Sequence, residues 1–257
     1  MKQISYTGIR RAYAFMGLAI NAANIESFND YNLSKITKYV FLPTDLPTEE
    51  VKKIKIEFKD WIISNGFQEF LGSFEVFLDN IHFVYLKILT SKHKITSKDA
   101  TKQHKNFKMK GVIKKLIALE KISNSKSKFF DHIETINIAR NCLVHRRGLV
   151  EKKDLNDEKY FSLTWIGMDS YIEKFDNSRI YIFPPDKCSE EDKHADKNEL
   201  IKFEWNLRSK KFSIGDSIKL NTTEISEILM MMSHATNEIV SQLFEFSKKN
   251  NIKIEKV

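Results

Sequence analysis

Arg140, Asn141 and His145 are the residues of this chain whose types and spacing suit chemistry. A guanidinium is a permanent cation that grips phosphate, an amide orients its neighbours, and an imidazole moves protons near neutral pH. At about 100° per residue, Asn141 and His145 lie one helical turn apart on one flank. Phe129, Ile133, Ile136, Leu143 and Val144 all fall within about 60° of Arg140 on the same wheel. Arg140 therefore stands in the middle of an apolar face, where a charge is costly unless it is paired. The three side chains are expected to border one groove near the helix end, where a phosphate meets a cation, an amide and an imidazole. The purely structural alternative is that Arg140 buries its stem and extends its head to water. His145, Arg146 and Arg147 would then only complement the helix dipole before Gly148.

The elements that position these residues are legible from periodicity. The motif helix is expected over 128–147, with Gly148 as a left-handed stop. Ahead of it, Ala12–Ile20 follows Arg10 and Arg11 and loosely imitates a secretory signal, but at nine residues it reads as an amphipathic first helix. A second helical element runs from Thr48, behind Pro43 and Pro47, to Leu89. Its stripe includes Phe67, Phe70, Phe74, Phe77, Ile81 and Tyr85, and Gly66 and Gly72 are expected to split it in two. A helix over Lys108–Ile122 follows, with Val112, Leu116 and Leu119 as its core face.

After Gly148 the pattern turns β-rich, over 161–166, 171–175, 179–183, 201–207 and 211–220, with a charged loop at 186–199. Asn221 or Thr222 then caps a final helix. The expectation is a single, mainly α domain over 1–257, helical over 1–150 and 221–250. A small antiparallel β insert over 158–220 stands between the motif helix and the C-terminal helix.

Composition narrows the function classes. Four Pro and eight Gly in 257 residues are too few turn-formers for an all-β protein. The two cysteines, Cys142 and Cys188, form no ligand pair and suit a reducing, cytoplasmic setting. No apolar run reaches about 18 residues, so no membrane partner is expected. Nucleophile-elbow, phosphate-loop and dinucleotide glycine patterns are all absent. Glu75, Asp79 and His82 share a helix face without a fourth ligand and read as a wet surface, and Met230–Met232 read as core filler. Neither metal nor cofactor is called for.

The net charge of +8 is concentrated. Between Lys87 and Lys128 stand 13 Lys against Asp99 and Glu120, so everything outside that segment sums to −3. Such a cluster attracts polyanions, and RNA is the expected partner, through Lys108, Lys110, Lys114 and Lys115 together with Arg146 and Arg147.

The stretch Ile138-Ala-Arg-Asn-Cys-Leu-Val-His145-Arg-Arg-Gly-Leu-Val150 resembles the signature helix of the HEPN (higher eukaryote and prokaryote nucleotide-binding) superfamily. That signature is Arg, four to six residues, then His, with a polar residue, often Asn, after the Arg. The resemblance implies a HEPN-like helical bundle, often dimeric, and a metal-independent endoribonuclease of toxin, antiviral or RNA-processing type. It also implies an antitoxin or defence-system partner. It makes Arg140 the phosphate-binding cation, His145 the proton-transfer residue and Asn141 the residue that orients them. Toxins paired with a minimal nucleotidyltransferase carry a Tyr shortly after the His, whereas Arg146 and Arg147 follow here, so the resemblance does not extend to that subtype. Other relatives have lost catalysis. The alternative reading is therefore a non-catalytic RNA-binding or assembly module on the same scaffold.

Overall fold

The computed structural model describes residues 1–26, 45–174, 178–184, 188 and 200–253. Among the described residues five helices precede the sheet and one follows it: α1 (Lys2–Asn24), α2 (Thr48–Ser91), α3 (Ser97–Lys108), α4 (Val112–Ser123), α5 (Phe130–Arg146) and α6 (Thr222–Lys249). Between α5 and α6 lie β1 (Phe161–Glu173), β2 (Arg179–Phe183) and β3 (Ile201–Phe212). The protein is mainly helical, with a small antiparallel sheet toward its C-terminal end. Among the described residues no helix is long and apolar enough to cross a membrane.

Helix α2 is the spine. Glu49 and Glu50 sit in its first turn, where the dipole favours acids, and its Phe67–Phe70–Phe74–Phe77 stripe is fully buried. The expected break at Gly66 and Gly72 does not occur. A Cβ on Gly66 would stand 2.6 Å from Met16 Sδ, and one on Gly8 would collide with Ser73. These glycines let α1 and α2 approach closely, and that contact outweighs their helix-breaking tendency.

Helix α3 was missed by the periodicity because Phe107 is its one buried residue. Thr96 starts it by accepting from the Asp99 N–H at 3.1 Å. Asn221 caps α6 in a reciprocal box with Glu224. Ile133 and Ile136 of α5 and Ile228 and Met232 of α6 belong to the same buried core as the α2 phenylalanines.

The sheet order is β2-β1-β3, all antiparallel, with Phe161 opposite Phe212 and Ile172 opposite Ile201. One long β1 replaces the two strands expected over 161–166 and 171–175. Its middle residue, Gly167, leaves room for Glu227 of α6, which accepts the Trp165 Nε1–H at 2.7 Å. Thr135 of α5 accepts from the Thr164 N–H at 3.1 Å and donates to the Thr164 carbonyl at 3.2 Å, locking the sheet to the motif helix. The strand expected over 211–220 gives way after Phe212 to a turn with Gly215 at φ +88°. The charged segment 186–199 lies outside the described residues, apart from Cys188.

A polar cluster is buried between α2, α3 and α4. The His82 ring stacks on Phe107 at 3.8 Å, and its Nδ1 lies 3.1 Å from Nδ1 of His104. Burial, reinforced by the neighbouring His104 and Lys110 charges, lowers the His82 pKa to about 4. The unfolded imidazole titrates near 6.5, so between these values the unfolded state holds more protons. Stability should therefore be flat above that window and fall as pH drops through it, by roughly 3 kcal/mol from this group. Urea denaturation at neutral pH and at pH near 4.5 measures the loss. His82→Phe, which keeps the ring stack, should be less acid-sensitive than the parent; equal acid sensitivity would refute the assignment.

Candidate functional site on the motif helix

Arg140 leaves α5 toward a groove that runs between α1 and α2. The groove holds about 620 Å³ and is lined by Phe15, Trp61, Gln68, Glu69 and Val76, with Arg140 among its walls. The guanidinium is half-buried and donates from Nη1 to Asn141 Oδ1 at 3.0 Å. Its Nε is buried without a hydrogen-bond partner, and Arg140 makes no ion pair among the described residues. No carboxylate pairs with Arg140 among the described residues; its Nε is buried while the residue remains partly exposed at the groove wall. An unpaired buried donor costs about 1–3 kcal/mol. An anion entering the groove would meet a guanidinium that has no counter-charge among the described residues.

Asn141 carries the link along the helix. Its Oδ1 holds Arg140, and one turn later stands His145, exposed at the helix end. Within one chain, however, His145 does not line the groove that receives Arg140. Arg140 and Asn141 are brought together; His145 adjoins them on the flank only.

The two arginines after His145 part company. Arg146 turns inward, pairing with buried Asp154 at 2.6 Å and donating to Cys142 Sγ at 3.1 Å. Its guanidinium is thereby occupied in tying the helix end to the turn at Lys152–Asp154, rather than offered to RNA. Burial pushes the Cys142 thiol up to about 11, so that sulfur is inert. Arg147 is exposed in the left-handed conformation, φ +54°, and Gly148 follows at φ +86°. Both of their N–H groups reach the Cys142 carbonyl, closing the helix one residue earlier than Gly148 alone would. Beyond it, the Ile218 N–H donates to the Gly148 carbonyl at 2.9 Å, which fixes the exit path.

The basic segment divides likewise. Lys108 and Lys110 at the α3–α4 turn and Lys114 on α4 are exposed. Lys115 corrects the expectation: it is 2% exposed and pairs at 2.9 Å with Asp79 of α2. Its position on the apolar face of α4, beside Leu116 and Leu119, directs it inward. Glu75, Asp79 and His82, expected to form a wet helix face, do not: His82 is 3% exposed and Asp79 is taken by Lys115.

Sequence reasoning missed the groove itself. Its signal was available in α2, where Trp61 falls about 120° from the Phe67–Phe74–Tyr85 stripe. A Trp so far off the core face is bound to be exposed, and Trp61 is 62% exposed. Comparison with protein-family models finds no match, and neither do comparisons with curated proteins and with solved structures.

Proposed function

We propose that this protein is a metal-independent endoribonuclease of HEPN type, acting as a toxin or antiphage defence effector. The observation that carries the reading is the unpaired, half-buried Arg140 guanidinium, held by Asn141 and opening into a groove. Arg140 binds the scissile phosphate and Asn141 keeps the guanidinium aimed. An imidazole takes the 2′-hydroxyl proton, the 2′-oxygen attacks phosphorus, and the P–O5′ bond breaks. The leaving oxygen receives a proton, so the products are a 2′,3′-cyclic phosphate and a 5′-hydroxyl. Exposed Lys108, Lys110, Lys114 and Arg147 supply the field that gathers RNA.

Because His145 does not line the Arg140 groove within one chain, the reading includes a homodimer in which each chain's His145 serves the other's groove. Ile136 and Leu143 of the motif helix belong to the chain's own core and leave no surface there for a partner helix. Phe15, Trp61 and Val76, all about half-exposed beside the groove, take their place in this proposal. The rival reading, a non-catalytic RNA-binding or assembly module, rests on the same separation of His145 from the groove. Incubation with total RNA in excess EDTA, followed by mapping of both new ends, decides between them. New cyclic-phosphate and 5′-hydroxyl ends are expected; intact RNA, or cleavage only after metal is added, would refute the ribonuclease reading.

A further inference from the structure

The outer face of α2 carries an aromatic ring among cations that lack counter-charges. Phe83 lies about 160° around the helix from buried Ile81 and Tyr85, so the turn of α2 places it outward, and it is 45% exposed. Its ring centroid stands 5.5 Å from that of His104 on α3. Lys87, one turn further along α2, places its Nζ 5.2 Å from the same ring. His104 is anchored from within, its Nδ1 3.1 Å from Nδ1 of buried His82, and the charges of Lys108 and Lys110 both act on this histidine pair. Lys87, Lys108 and Lys110 are exposed, and none makes an ion pair among the described residues. Asp79, the acid that acts on His104, is already taken by Lys115. Burial lowers the His104 pKa, so its ring is neutral at neutral pH and the positive field is that of the lysines.

We infer that Phe83 and His104 form a stacking platform for an unpaired base of single-stranded RNA, with Lys87, Lys108 and Lys110 on the flanking phosphates. The occupant follows from the combination. Three cations without counter-charge suit a polyanion, and the exposed ring among them offers a π-face, which a base uses and an acidic protein does not need. In a duplex each base is stacked on its neighbours and has no face left for Phe83, so the strand is single. Lys87 has a flexible four-carbon stem and can leave the ring for a phosphate as the base arrives. Val76, Asn80, Phe83 and Lys87 fall within about 40° of one another on α2, and Val76 also stands in the wall of the Arg140 groove. At about 1.5 Å per residue the platform lies about 10 Å beyond Val76, so one helix face leads from groove to platform. The inference rests on the proposed function only in taking RNA as the ligand, and it needs no cleavage.

Fluorescence anisotropy with a labelled 2′-O-methyl oligonucleotide, which has no free 2′-hydroxyl to attack, reads binding apart from catalysis. A blunt duplex of the same sequence is the control. The parent should bind the single strand, and Phe83→Ala should weaken that binding about tenfold or more, with the melting temperature and the salt slope unchanged. Phe83→Trp should restore it. Lys108→Ala combined with Lys110→Ala should instead flatten the log–log salt slope by about 1.4. Duplex binding should be equal in the parent and Phe83→Ala. A parent that binds no single strand at low salt, a Phe83→Ala chain that loses duplex and single strand alike, or poly-L-glutamate that competes as well as RNA of equal charge would overturn the inference. Intact binding of this kind without any RNA cleavage would count against the ribonuclease reading and support the platform.

Discussion

Replacing His145 by Ala should lower RNA cleavage by a factor of about 10²–10⁴ while the melting temperature stays that of the parent. The size follows from what a positioned acid–base group contributes to a proton-transfer step. The unchanged stability follows from the site: His145 is exposed at the last turn of α5, and substitutions at such positions usually cost within about 0.5 kcal/mol. Its neighbour supplies an internal control. Arg146→Ala removes the pair with buried Asp154 and should lower the melting temperature at once. The two adjacent positions are thus expected to separate function from structure. If the Arg140 groove and His145 are shared across a dimer, mixing Arg140→Ala with His145→Ala chains should restore part of the activity, because some mixed dimers keep one intact site. Cleavage that persists in His145→Ala, with a lowered melting point, would assign this residue to helix capping alone.

Asp79→Ala should destabilise the fold by about 3–5 kcal/mol. The cost is less the lost attraction than what remains. Lys115 is 2% exposed, and without the Asp79 carboxylate its ammonium lies buried with no counter-charge. Lys115→Met in the Asp79→Ala background should recover most of the loss, because a buried ion pair replaced by apolar groups is often neutral. Chemical denaturation of the parent, the single and the double variants closes the cycle. A single variant as stable as the parent would mean that Lys115 reaches water by a path the packing does not show.

The motif helix illustrates what local pattern can carry. Its span, its stop beside Gly148 and the i,i+4 relation of Asn141 and His145 all follow from 3.6-residue periodicity and backbone conformational preference, which act within a few residues. The capped start of α6 at Asn221 and the buried phenylalanine stripe of α2 are legible for the same reason. The unbroken α2 was not. Gly66 looks like a break until Met16, 50 positions earlier, is laid against it, and no local rule sees that far.

Which charges face inward belongs to the same class of unknowns. Lys114 and Lys115 are neighbours of identical chemistry, yet one is exposed and the other buried, because a helix turns about 100° per residue and Asp79 waits on α2. Arg146 and Arg147 divide likewise through Asp154. Residue type and spacing alone determined that an Arg, an Asn and a His share one helix end and that the chain's positive charge is concentrated before it. Tertiary packing alone decided that Arg140 opens into a groove made by α1 and α2, that His145 does not line it, and that one side of β3 has no strand partner among the described residues. Each of these depends on what another element, distant in the chain, does or does not cover, and burial is a property of pairs of elements.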